Sequence, residues 1–184
     1  NISGITAGVY TSAGVETLTI NSSGATANTL TDLASAYATV NINASVKTTI
    51  SNVGTAATKT INASGSTGQT IVVVDGTGTL ALTAGSGGSS FDITADTLTK
   101  ADTITGGAGA DTVIDNTATH TNATLVGVTG IETLDYNVAS TITLTAPTDF
   151  TTFDFDEAGN QSLILNAGYT GAVTVDITGD ATNA

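Results

Sequence analysis

Aliphatic residues recur along the chain at intervals of about twenty residues. Eight of them, each followed mostly by Asn, Thr or small residues, are spaced 19 to 22 residues apart: Ile20, Ile42, Ile61, Leu82, Ile104, Leu125, Leu144 and Leu165. A turn-forming residue follows in step at Gly65, Gly85, Gly106, Gly127, Pro147 and Gly168. Because a turn-former at a fixed phase marks where strands bend, the pattern predicts a repeating strand-and-turn unit.

A second row of apolar residues runs about half a period out of phase with the first. Its members are Leu33, Val53, Val73, Ile93, Val113, Leu134, Phe155 and Val175. Two short strands per period describe the coil of a β-solenoid, in which each coil stacks about 4.8 Å above the last. We therefore predict an all-β chain with coils of about 20 residues, a parallel β-helix or β-roll. Residues 1–184 would form a single solenoid segment of a larger chain. A β-sandwich, whose strands recur at similar intervals, is the alternative.

Composition supports strands and narrows the range of partners. Thr, Val and Ile favour strands, and the 21 glycines supply turns. The net charge is −13 with only three basic residues, so we predict no nucleic-acid partner, because a phosphate backbone requires many basic contacts. No apolar stretch approaches about twenty residues, which predicts no direct membrane insertion. The surplus of carboxylates suits hard cations such as calcium.

One glycine-rich segment matches a calcium-binding nonapeptide. Residues 106–114 read Gly-Gly-Ala-Gly-Ala-Asp-Thr-Val-Ile, the pattern G-G-x-G-x-D-x-U-x. Glycines permit a tight turn whose carbonyls face a cation, Asp111 adds a carboxylate, and Val113 anchors the next strand. A related turn, residues 87–93, lies nineteen residues earlier, so the two turns could share an ion at one edge. We predict calcium turns within residues 87–115, with ligands from Asp92, Asp102, Gly106, Gly107, Gly109 and Asp111.

Other polar residues are interpreted as structural. Asp154, Asp156 and Glu157 lie in a segment that echoes a D-x-D-x-x-G calcium loop, but the segment lacks the acceptor at the fifth place. We interpret it first as a strand with one buried face. His120, the only histidine, lies in a polar Thr/Asn stretch and is interpreted as a loop residue. No catalytic motif is present, and we predict that the chain is not an enzyme.

These features together resemble a known family. The nonapeptide, the Thr/Ala/Gly/Asn bias and the phrase Gly-Val-Glu-Thr-Leu at 14–18, repeated as Gly-Ile-Glu-Thr-Leu at 130–134, resemble the RTX-type S-layer proteins of Gram-negative bacteria. The resemblance implies type I secretion, calcium binding, folding outside the cell, and assembly with neighbouring copies into a lattice on the bacterial cell surface. A segment of a secreted RTX adhesin is the alternative.

Repeated Thr-x-Thr pairs raise a further possibility, which is ice binding. The pairs are Thr17/Thr19, Thr103/Thr105 and Thr141/Thr143/Thr145. Counted along the sequence, they do not keep one phase of the period. We therefore do not predict a flat threonine array.

Overall fold

The computed structural model describes residues 1–6, 8–10, 16–33, 37–54, 58–75, 78–155 and 160–177, and this part of the chain is all-β. Its described residues include no helix that could cross a membrane. The strands are β1 (Val9–Tyr10), β2 (Thr17–Ser22), β3 (Asn28–Leu30), β4 (Asp32–Leu33), β5 (Thr39–Ala44), β6 (Thr48–Ile50), β7 (Thr58–Asn62), β8 (Thr70–Val73), β9 (Thr79–Thr83), β10 (Ser89–Asp92), β11 (Thr103–Thr105), β12 (Thr112–Asp115), β13 (Thr119–Thr121), β14 (Val128–Thr129), β15 (Thr133–Tyr136), β16 (Thr141–Leu144), β17 (Thr152–Asp154), β18 (Ser162–Leu165) and β19 (Thr174–Asp176).

The strands form parallel sheets in which each strand pairs with strands one coil away. An eight-stranded sheet has the order β3-β6-β8-β10-β12-β15-β17-β19, and a six-stranded sheet has the order β2-β5-β7-β9-β11-β14. A separate three-stranded sheet, β13-β16-β18, runs through the later coils, where β13 and β14 lie in the same coil, and β1 pairs with β4. The chain is thus a β-solenoid of about seven turns with a spacing of about 22 residues. The predicted solenoid is confirmed, and a sandwich of antiparallel strands is excluded.

Stacked apolar side chains fill the interior. In the eight-stranded sheet, one inward row consists of Leu30, Ile50, Val72, Phe91, Val113, Leu134 and Phe153. All seven are 5% exposed or less. Burying side chains of this size stabilises a fold by about 1.5–3 kcal/mol each. The alternation of inward apolar and outward polar residues along each short strand therefore determines which face points into the core.

The observed rows differ in places from those counted along the sequence. Ile61 lies level with Val40, not with Ile42. Ile104 lies level with Val128, while Leu125 lies in the turn between β13 and β14. Coils differ in length by a few residues, so a fixed period places some residues one step away from their true neighbours.

One charged residue belongs to the interior. Lys59 on β7 is fully buried, and its Nζ donates hydrogen bonds to the carbonyl oxygens of Tyr37 at 2.6 Å and Val53 at 3.0 Å. Burial lowers the pKa of Lys59, and the nearby charge of Asp75 partly opposes this effect. The ammonium group therefore ties together loops of neighbouring coils at the expense of losing its hydration.

Candidate functional site

The turns that lead from the six-stranded to the eight-stranded sheet stack directly on one another. In the turn between β11 and β12, Gly107 lies against the carbonyl oxygen of Gly85, and Gly109 lies against the backbone of Gly88. A Cβ at either position would overlap the backbone of the preceding turn, and a Cβ on Gly106 would overlap that of the following turn. The three glycines of the nonapeptide are therefore required by the close approach of successive coils.

Asp111 closes this turn with its side chain. It is fully buried, its Oδ1 accepts the Ser89 N–H at 2.6 Å, and its Oδ2 accepts the Gly107 N–H at 2.6 Å. Burial raises the pKa of Asp111, the two backbone hydrogen bonds counteract this, and the charge of Glu132 raises it further. The carboxylate thus joins its own turn to the preceding coil.

Asp111 belongs to a column of polar residues that runs along this edge of the rod. Its buried members in the earlier coils are neutral: Asn28, Thr48, Thr70 and Ser89. In the later coils, acidic residues accept backbone N–H groups of the coil before. Glu132 Oε2 accepts the Asp111 N–H at 2.8 Å, and Asp149 Oδ2 accepts the Gly130 N–H at 2.7 Å. We call Asp111, Glu132 and Asp149 the acidic turn edge.

Asp92 lies away from this edge. It ends β10 and is level with Ile114, whereas Ser89 is the residue one coil below Asp111. Asp92 Oδ1 accepts hydrogen bonds from the Thr94 N–H at 3.0 Å and the Thr94 hydroxyl at 2.7 Å. The two glycine turns do stack at one edge, but their aspartates do not, because the coil offset here is 22 residues and not 19.

Asp102 lies at another corner of the coil, immediately before β11. Its Oδ1 accepts the Leu80 N–H at 2.8 Å, and its Oδ2 accepts the Thr99 N–H at 2.7 Å. Of the six residues predicted to bind calcium, the structure brings four together in one turn, namely Gly106, Gly107, Gly109 and Asp111. It places Asp92 and Asp102 elsewhere.

The fit of the turn to calcium is therefore partial. Among the described residues, no three Asp, Glu or His side chains lie close enough together to hold a metal ion. Calcium takes 6–8 oxygen ligands, which can include backbone carbonyls. A calcium ion at this turn would need most of its ligands from carbonyls, with Asp111 and Glu132 as the available carboxylates.

The second acidic segment cannot be compared with a D-x-D-x-x-G calcium loop, since Asp156 and Glu157 lie outside the described residues. Gly14 and Val15 of the repeated phrase also lie outside them.

The structure also contains a buried acid–base pair that the sequence analysis missed. His120 lies on β13 and is fully buried, so its interpretation as a loop residue was wrong. Its Nε2 lies 2.5 Å from Asp115 Oδ2, and its ring is 5.5 Å from that of Tyr136. The alternation Thr-His-Thr was the available signal, since a period of two indicates a strand. Neither side chain of the pair is exposed to solvent.

Comparison with known proteins identifies no relative. No protein-family model matches the chain, and neither a curated protein nor a solved structure does so. Its function must therefore be inferred from the residues and the fold.

Proposed function

We propose that this chain is a structural segment of a calcium-dependent extracellular surface layer on a bacterial cell. The observation that carries the proposal is the parallel solenoid, whose interior is filled by stacked apolar rows as far as Phe155 in the described residues. About seven turns at about 4.8 Å each give a rod roughly 34 Å long. A rod of stacked coils is a regular building block for a repeating assembly.

The acidic turn edge supports calcium dependence. Asp111, Glu132 and Asp149 belong to the turns of successive coils, where negative charges close to one another are unfavourable. Burial is the main cause that raises the pKa of Asp111, and the charge of Glu132 adds to it. A divalent cation at this edge would offset that repulsion and bind the folded state in preference to the unfolded chain.

Assembly is the property that tests this proposal. The purified chain is examined by analytical ultracentrifugation and negative-stain electron microscopy, with calcium and with chelator. We expect ordered two-dimensional sheets in calcium and dispersed rods in chelator. A chain that stays monomeric in calcium contradicts the surface-layer role, and calcium-dependent binding of the monomer to cells would favour the adhesin.

A further inference from the structure

The outward face of the six-stranded sheet carries two straight rows of small polar residues. One row consists of Thr17, Thr39, Thr60, Ala81 and Thr103, and the other of Thr19, Asn41, Asn62, Thr83 and Thr105. Seven of these ten residues are threonine, and none of the ten is buried. We call them the threonine array.

The array corrects part of the expectation drawn from the sequence. The pairs Thr17/Thr19 and Thr103/Thr105 occupy the same two rows, although Asn and Ala replace threonine at three positions in the coils between them. Thr141 and Thr143 lie in the three-stranded sheet, so the expectation that they do not share this phase is confirmed. The three-stranded sheet repeats the arrangement on a smaller scale, where Thr119 and Thr121 lie level with Thr141 and Thr143.

The positions of the array form a regular two-dimensional lattice. Neighbours in a row are about 4.8 Å apart, and the two rows are separated by two residues along each strand, or about 6.7 Å. From β2 to β11 the pairing runs residue to residue without a bulge. The positions of the array therefore repeat at constant intervals in both directions, and threonine hydroxyl and methyl groups occupy seven of the ten.

Charge is absent from this lattice although the chain carries a net charge of −13. The outward face of the eight-stranded sheet, in contrast, carries aspartates, three of them in register: Asp135, Asp154 and Asp176. The outward face of the eight-stranded sheet is thus acidic in these coils, whereas the threonine array is neutral. A neutral and repetitive surface suits a ligand that is itself neutral and repetitive.

The chemistry of the array favours water over other ligands. Protein interfaces depend on a few large anchors such as Trp, Tyr and Arg, and the array has none. Nucleic acid requires basic residues, which the array also lacks. Threonine offers a hydroxyl that can donate and accept hydrogen bonds, beside a methyl group. We propose that the threonine array binds ice, by holding a layer of waters whose spacing continues into the crystal.

Partition into ice tests this proposal with a matched pair of variants. Fluorescently labelled protein is frozen slowly onto a cold probe, and the protein in the ice is compared with that in the liquid. Thr60→Lys places a charged, longer side chain in the centre of the array. Thr112→Lys makes the same change on the outward face of β12, where the threonine is similarly half-exposed. We expect wild type and Thr112→Lys to enter the ice, and Thr60→Lys to do so at least about tenfold less.

Circular dichroism confirms that both variants fold, and sedimentation records their oligomeric state. The proposal is overturned if the wild type is excluded from ice as ordinary proteins are, or if both variants partition alike. It is also overturned if Thr60→Lys acts by dissociating a wild-type oligomer, since the array would then pack against another copy. Ice binding does not depend on the surface-layer role, because a monomer in chelator can be tested equally well.

Discussion

The buried pair of Asp115 and His120 allows a quantitative test of how the solenoid interior is stabilised. We consider Asp115→Val, His120→Leu and the double variant. Each single change leaves the other polar group buried inside the rod without its main partner. The double change removes both groups and leaves apolar side chains beside apolar neighbours, such as Ile142 one coil beyond position 120.

The expected magnitudes follow from the complete burial of both side chains. Breaking a buried pair by removing one partner costs about 3–5 kcal/mol, whereas replacing both partners by apolar residues is often neutral or stabilising. We therefore expect each single variant to lose about 3–5 kcal/mol in the free energy of unfolding. The double variant should lie within about 1 kcal/mol of the wild type or above it.

Urea unfolding, followed by circular dichroism, measures these free energies, and an unchanged slope of free energy against urea shows that the variants unfold alike. A double variant that loses the sum of the two single losses would refute the reasoning. In that case each side chain contributes through its own packing, and the contact between them does not determine stability.

Three further changes have predicted effects on stability. Gly109→Ala should lower the free energy of unfolding by roughly 1–3 kcal/mol, because the new Cβ overlaps the backbone of Gly88. Gly8→Ala is the control and should lower it much less, because its Cβ meets only side-chain atoms. Urea unfolding measures both changes. Because the pKa of Lys59 is lowered, the unfolded chain binds more protons between that lowered value and 10.5. Stability should therefore rise as the pH increases through this window, and Lys59→Met should remove this part of the rise in melting temperature. Tyr136→Phe should raise the free energy of unfolding by about 1 kcal/mol, since the buried Tyr136 hydroxyl has no hydrogen-bond partner among the described residues; a loss of stability would contradict this.

The architecture could be predicted from the sequence because turn residues and apolar residues repeat at nearly the same interval. Val113 and Leu134, expected to be neighbours in one row, do lie level in adjacent strands. The phase within a strand could not always be predicted. In the run Val72-Val73-Val74 all three residues are alike, and the structure buries the outer two and turns Val73 outward. A difference of one residue in coil length reverses which side chains face the core, and local composition does not reveal it.

The residues within the glycine turn could be predicted from the sequence, but their partners in neighbouring coils could not. The glycines and Asp111 were identified together, because a tight stacked turn and a calcium turn require the same residues. The contribution of Glu132 depends on which residue lies one coil above Asp111, and this requires the register. The burial of Lys59 and of His120 likewise follows from neighbours in other coils, about 20 residues away in sequence.

Thermal unfolding with calcium and with chelator tests the proposed role of calcium most directly. If calcium binds the folded chain at 100 times its dissociation constant, stability rises by about 2.7 kcal/mol, which corresponds to roughly 5–10 °C for a chain of this size. We expect a rise of this order in the wild type and a much smaller one in Asp111→Asn. If chelation leaves the melting temperature of the wild type unchanged, calcium does not stabilise this solenoid.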